Sequence, residues 1–157
     1  MLKIKFIVVD HTRSPFLKEG ELSYLERLRK YARVEWIEVK PAKIKKGIPT
    51  EDILNAEGES IAKRFVPHDY LVTLDRSGHQ YDSEELASWL NTLSSSVSGW
   101  VCFVIGGPLG LSEKILDQAH KVLSLSKLTL THEMSRLFII EQLYRAFTIL
   151  KGEKYHK

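Results

Sequence analysis

Cysteine is almost absent. Cys102 is the only one in 157 residues, and it lies inside the apolar run Trp100 to Ile105. That excludes a disulfide framework and a cysteine-based zinc site, and it suits a reducing compartment, so a cytoplasmic location is expected. No apolar run approaches the roughly 18 residues of a membrane helix, so no membrane partner is expected. The opening Met1 to Val9 carries Lys3 and Lys5 within its apolar stretch and has no small-residue cleavage site, so it reads as a first strand rather than a secretion signal. The histidines His11, His68, His79, His120, His132 and His156 show no metal-ligand spacing, and no metal is expected. Also missing are the Gly-x-Ser-x-Gly elbow of hydrolases, the Gly-Lys-Ser/Thr of a phosphate loop and the Gly-x-Gly-x-x-Gly dinucleotide fingerprint. Hydrolysis and nucleotide-phosphate binding fall away as functions.

What is present is an ordinary globular mixture, 43% hydrophobic and 27% charged. A chain this long buries about 68–70% of its unfolded surface, enough for one domain over residues 1–157 with no metal or disulfide to hold it. The net charge of +3 conceals an asymmetry, because residues 1–50 carry 12 Lys and Arg against 6 Asp and Glu, while the remainder is net acidic. Four of the lysines, Lys40, Lys43, Lys45 and Lys46, fall within seven residues. Such a run is either a solvated surface or the approach for a polyanion.

Strand-like and helix-like segments alternate throughout, with no repeat, linker or low-complexity stretch, which predicts an α/β fold with about five parallel strands and helices on both sides. Ser14-Pro15 starts a helix with Phe16, Leu17, Leu22, Leu25, Leu28 and Tyr31 at helical spacing. Val34 to Val39 alternates as a strand, and Pro49-Thr50 opens a helix bearing Ile53, Leu54, Ile61 and Phe65. A short strand is predicted within Asp69 to Asp75, with Arg76 to Gln80 as a turn and Asp82 or Ser83 capping the next helix. The continuous apolar run Gly99 to Ile105 predicts a strand covered on both faces. Ser112 opens a helix, Val122 to Leu125 forms a last strand, and Met134 to Leu150 a long final helix.

Three features bear on chemistry. The loop Gly106-Gly107-Pro108-Leu109-Gly110 follows the buried strand, where open α/β sheets bind ligands, and glycine permits close main-chain approach. It reads as a ligand site or a tight turn. The hydroxyl-rich Ser124 to His132 leads into the final helix, where N–H groups and the dipole favour anions, or where His132 simply caps. The tail Lys151 to Lys157 is either frayed or functional, with Tyr155 able to stack on a base and His156 able to move a proton.

Five blocks, taken in order, carry a resemblance. They are Val72 to Asp75, Phe103 to Gly110, Leu123 to His132, Glu141 to Ala146 and the terminal Tyr155-His156. Together they resemble the ribosomal RNA large subunit methyltransferase H family of the SPOUT superfamily over nearly the whole chain. The resemblance implies a C-terminal deep trefoil knot, a rare exception to unknotted connections. It also implies S-adenosyl-L-methionine held in that knot by Leu74, Gly106, Leu125, Ser126, Lys127, Leu128, Thr129 and Leu130.

The implied reaction is methylation of N3 of a pseudouridine in 23S ribosomal RNA within the assembled 70S ribosome, by a homodimer. In that reading His156 acts as base or orients the target, Tyr155 stacks, and Arg145 contacts phosphate or uracil carbonyls. His132, Arg136, Tyr155 and His156 bind substrate. Two residues depart from the family's neutral pattern, Lys127 and Glu133; the latter is expected near RNA or paired with Arg136. The alternatives are another RNA target, such as transfer RNA, and a non-catalytic RNA-binding module.

Overall fold

The computed structural model describes all 157 residues, and ten elements alternate along the chain. They are β1 (Lys3–Val9), α1 (Pro15–Leu28), β2 (Arg33–Val39), α2 (Thr50–Ala62), β3 (Tyr70–His79), α3 (Ser83–Ser96), β4 (Val101–Ile105), α4 (Glu113–Gln118), β5 (Lys121–Leu123) and α5 (His132–Leu150). The five strands form one parallel sheet in the order β2-β1-β4-β3-β5. The expected α/β class is therefore the observed one.

The sheet is covered on both faces, which explains why β4 is apolar at every position and wholly buried. On one face Ile4, Phe6 and Val8 of β1 and Phe103 of β4 pack with residues of α1, α3 and α5, among them Leu25, Leu90 and Ile140. On the other, Ile7, Val9 and Val104 pack with Ile61 of α2 and Ile115 of α4. The period-two alternation of β1 thus serves two cores. The helix starts follow their local chemistry. Asp82 and Glu85 form a reciprocal capping box at α3, Ser112 Oγ accepts from Ile115 N at α4, and Thr131 Oγ1 accepts from Met134 N at α5.

Several boundaries differ from the sequence expectation. Tyr31 lies beyond α1, which ends at Leu28, and Phe65 lies beyond α2. The last strand is Lys121–Leu123, one residue earlier in start and two in end, because the main chain leaves the ladder after Leu123. The final helix begins at His132 rather than Met134, since Thr131 supplies its cap.

The larger correction concerns Arg76 to Gln80, expected as a turn after a short strand. Instead β3 continues to His79, and Leu74 and His79 both oppose Leu123, so Asp75 to Gly78 loop out of the ladder. Gly78 makes this possible, because a Cβ there would fall 2.5 Å from the Val122 carbonyl oxygen. The excursion sits at the carboxyl end of the sheet.

Candidate functional site

Parallel strands deliver their carboxyl ends to one side, and there the chain encloses a cavity of about 820 Å³. Its walls are the end of β3 at Leu74 to Arg76, the end of β4 with the loop Gly106 to Gly110, the segment Leu123 to Thr131, and the start of α5 at His132. Ser14, just before α1, Leu17 of α1, and Glu133 and Ser135 of α5 also line it. The volume falls within the range of small-molecule sites.

The glycine loop is folded upon itself. Gly107 and Gly110 form an isolated bridge, Gly110 N donates to Gly107 O at 3.0 Å, and Gly110 has a positive φ of 87°. A Cβ on Gly106 would collide with the Gly110 carbonyl. Glycine at 106 therefore lets two stretches of main chain lie in contact, a tight turn that also lines the cavity.

The opposite wall is irregular. From Leu125 to Leu130 the main chain makes no main-chain hydrogen bond at all. Its shape is held by side chains, with Ser124 Oγ donating to Ser126 O at 3.0 Å and Leu128 N to Ser126 Oγ at 3.0 Å. Amides and carbonyls left without main-chain partners are open to another acceptor or donor, the arrangement needed to read a polar edge. Leu74, Leu125, Leu128 and Leu130 provide apolar surface beside them. This chemistry fits S-adenosyl-L-methionine, whose adenine requires apolar faces and main-chain partners at its edge. Lys127 is exposed and its side chain is not part of the wall.

The cavity gathers Leu74, Gly106, Leu125, Ser126, Leu128, Thr129, Leu130 and His132, but not Arg136. Arg136, expected at the substrate, has no exposed surface; it donates to Val9 O at 2.5 Å and to Thr12 Oγ1 at 3.0 Å, while Thr12 donates to Glu21 at 2.6 Å. It ties the second turn of α5 to the end of β1, a structural tether. Glu133 needs the same correction. It does not pair with Arg136 but accepts from the N–H groups of Arg13 and Ser14, the two residues just before α1, at 2.8 and 3.0 Å.

His132 stays in the cavity wall. Burial lowers its pKa first, the Arg136 charge lowers it further, and Glu133 and Asp10 only partly oppose this. The imidazole is consequently neutral at pH 7. An NMR titration of the histidine ring protons should place His132 below the usual 6.5. A midpoint at or above that value would contradict the neutral assignment.

The tail residues lie elsewhere. Tyr155 Oη meets Tyr24 Oη at 3.0 Å and donates to Glu141 at 2.9 Å, its ring meets Tyr144 edge-on at 4.7 Å, and the Arg145 guanidinium lies 4.8 Å from its centroid. Burial first, then Tyr24 and Glu141, push the Tyr155 pKa up, so this phenol remains protonated and serves for stacking and donation. Arg145 donates to Glu141 at 2.5 Å and stands 3.3 Å from His156 Nδ1. Arginine has only donors, so Nδ1 accepts and the neutral ring carries its proton on Nε2. In this arrangement His156 offers a donor, which favours orienting a carbonyl over abstracting a proton.

The basic loop reaches the same end of the sheet as the cavity. Ala42 N donates to Glu57 Oε2 at 3.1 Å, and a Cβ on Gly107 would stand 3.8 Å from Glu57 Oε1. Glu57, buried on α2, thereby fixes the Lys40 to Lys46 segment beside the glycine loop. Burial raises its pKa, opposed by the Ala42 N–H.

Sequence reasoning missed Arg76, which reaches across the cavity mouth from the β3 excursion. The signal available was Gly78, read as a turn residue. The buried role of Arg136 also had a signal, since Glu21 interrupts the Leu17, Leu25, Leu28 stripe of α1 and a buried acid calls for a partner.

A parallel α/β sheet with a cavity at its carboxyl edge, walled by a glycine loop and an irregular segment, belongs to the class of α/β folds that bind a small molecule where their strands end. The family model described as predicted SPOUT methyltransferase matches residues 2–156, and the chain belongs to that family. It is 42% identical over 160 residues to the ribosomal RNA large subunit methyltransferase H of Moorella thermoacetica, covering 100% of both chains. Similar matches are the proteins of that name from Thermotoga neapolitana, 42% identical over 96% of this chain and 97% of the relative, and Bacillus pumilus, 38% over 99% and 100%. Among solved structures, a probable methylase family protein from Haemophilus influenzae aligns with a TM-score of 0.57 at 16% identity, over 100% of this chain and 72% of that one. A probable methyltransferase from Bordetella pertussis gives 0.55 at 15% identity, over 92% and 96%. These two share the fold. No helix is long and apolar enough to cross a membrane.

Proposed function

We propose that this enzyme transfers the methyl group of S-adenosyl-L-methionine to N3 of a pseudouridine in 23S ribosomal RNA of the assembled 70S ribosome, acting as a cytoplasmic homodimer with the knotted chain of its family. The observation that carries the reading is the meeting of the Gly106 to Gly110 loop with the unpaired main chain of Leu125 to Leu130 across one cavity. The relatives' shared name supports ribosomal RNA as the substrate.

When bound, the donor supplies an electrophilic methyl group, so the chain's chief contribution is alignment, which can lower a barrier by up to about 7–11 kcal/mol. Leu74, Gly106 and Leu125 to Leu130 hold and orient the donor, and His132, neutral, faces the target's side of the cavity. Tyr155 stacks on the target, while His156 Nε2–H and the Arg145 guanidinium hold its carbonyls. The N3 proton then passes to solvent.

These two sets of residues do not meet within one chain. Tyr155 and His156 fold back against Glu141 and Arg145, which lie about 14 and 20 Å along α5 from His132 at the cavity. A two-fold partner with its α5 antiparallel brings its tail to this cavity. Phe16, Met134 and Phe138, 73%, 48% and 41% exposed at the starts of α1 and α5, supply an apolar face for that contact.

Incubation with labelled donor and intact ribosomes, followed by mapping of the modified nucleotide, tests the reaction. Label at N3 of one pseudouridine is the expected result. Label confined to transfer RNA, or none, would overturn it.

A further inference from the structure

Among the cavity's charged groups, two acids are already committed to the chain's own backbone. Asp75 accepts from both the N–H and the hydroxyl of Ser77, and Glu133 accepts from Arg13 and Ser14. Arg76 is the only lysine or arginine in the lining and enters no salt bridge. Its Nη1 donates to the hydroxyl of Thr129 at 3.1 Å, a neutral partner on the opposite wall.

The position of Arg76 is built. Asp75 to Gly78 leave the ladder between Leu74 and His79, the Asp75 carboxylate closes the turn on Ser77, and Gly78 lets the excursion lie against Val122. The result carries one guanidinium from β3 to the segment that forms the far wall. A fork of five donors with no acid opposite it is matched by a carboxylate, which takes two parallel N–H bonds.

We infer that Arg76 binds the α-carboxylate at the amino-acid end of the methyl donor, bridging β3 and Thr129 over the occupied cavity. This rests on the proposed use of S-adenosyl-L-methionine. A ribosomal phosphate is the competing anion, but the contact with Thr129 holds the guanidinium over the cavity rather than away from it.

Calorimetry with two probes separates the cases. S-adenosylhomocysteine has the carboxylate, whereas 5′-methylthioadenosine keeps the nucleoside and lacks the amino-acid end. Arg76→Gln should weaken S-adenosylhomocysteine roughly ten- to hundredfold and leave methylthioadenosine within about twofold, with Arg76→Lys recovering part of the loss. Equal weakening of both probes would make Arg76 a determinant of cavity shape and overturn the inference. Unchanged affinity for both, with or without weaker ribosome binding, would also overturn it. If the unaltered protein binds neither probe, the proposed function itself fails, a result distinct from either of these.

Discussion

Replacing Gly106 by valine is expected to weaken donor binding by roughly a hundredfold in a chain that still folds. The first added carbon meets the Gly110 carbonyl, so the loop must open, and the two further methyl groups of valine enlarge the displacement. A main-chain shift costing about 3 kcal/mol corresponds to roughly a hundredfold loss of affinity. Calorimetry measures the loss, and circular dichroism with a thermal melt confirms that the sheet persists. Unchanged affinity in the folded variant would remove the glycine loop from the binding wall.

Deleting Tyr155 to Lys157 is expected to do the opposite, leaving donor affinity intact while methyl transfer to ribosomes falls by about 10² or more. The tail's contacts are with Tyr24, Glu141, Tyr144 and Arg145, about 14 to 20 Å along α5 from its own cavity. Because the proposed site joins one chain's cavity to its partner's tail, mixing the tail-less chain with the Gly106→Val chain should restore activity. One site in each mixed dimer then has an intact cavity and an intact tail. No recovery on mixing, with mixed dimers verified, would place tail and cavity action within a single chain.

How much of this was legible in the sequence depended on how local the governing interactions were. β4, the starts of α3 and α4, and the glycine loop announce themselves, because a strand buried on both faces, a capping residue and a self-closing turn are set by neighbouring residues. Arg136 and Glu133 misled because their partners are more than a hundred residues away. Val9 and Thr12 accept from the arginine, and the amides of Arg13 and Ser14 before α1 claim the glutamate. The resemblance had placed both near RNA. The β3 excursion was hidden for a related reason, since Ser77-Gly78 is ordinary turn chemistry until Val122 is seen lying against Gly78.

The irregular segment was visible only as an alternation of apolar and hydroxyl residues. Its consequence, six residues without a main-chain hydrogen bond, emerges once β5 ends at Leu123 and the chain must cross to α5. The resemblance supplied what periodicity lacked, namely the expectation that the segment faces a cofactor. It also grouped His132 and Arg136 with the tail as one substrate site, whereas within a chain α5 holds them apart.

Amide NMR spectra of the ¹⁵N-labelled protein, titrated with S-adenosylhomocysteine, test the central claim most directly. The amides of Gly106 to Gly110 and of Leu125 to Leu130 should shift together and saturate at one equivalent per chain. Shifts confined to one stretch, shifts elsewhere, or none would contradict a donor enclosed between these two runs of main chain.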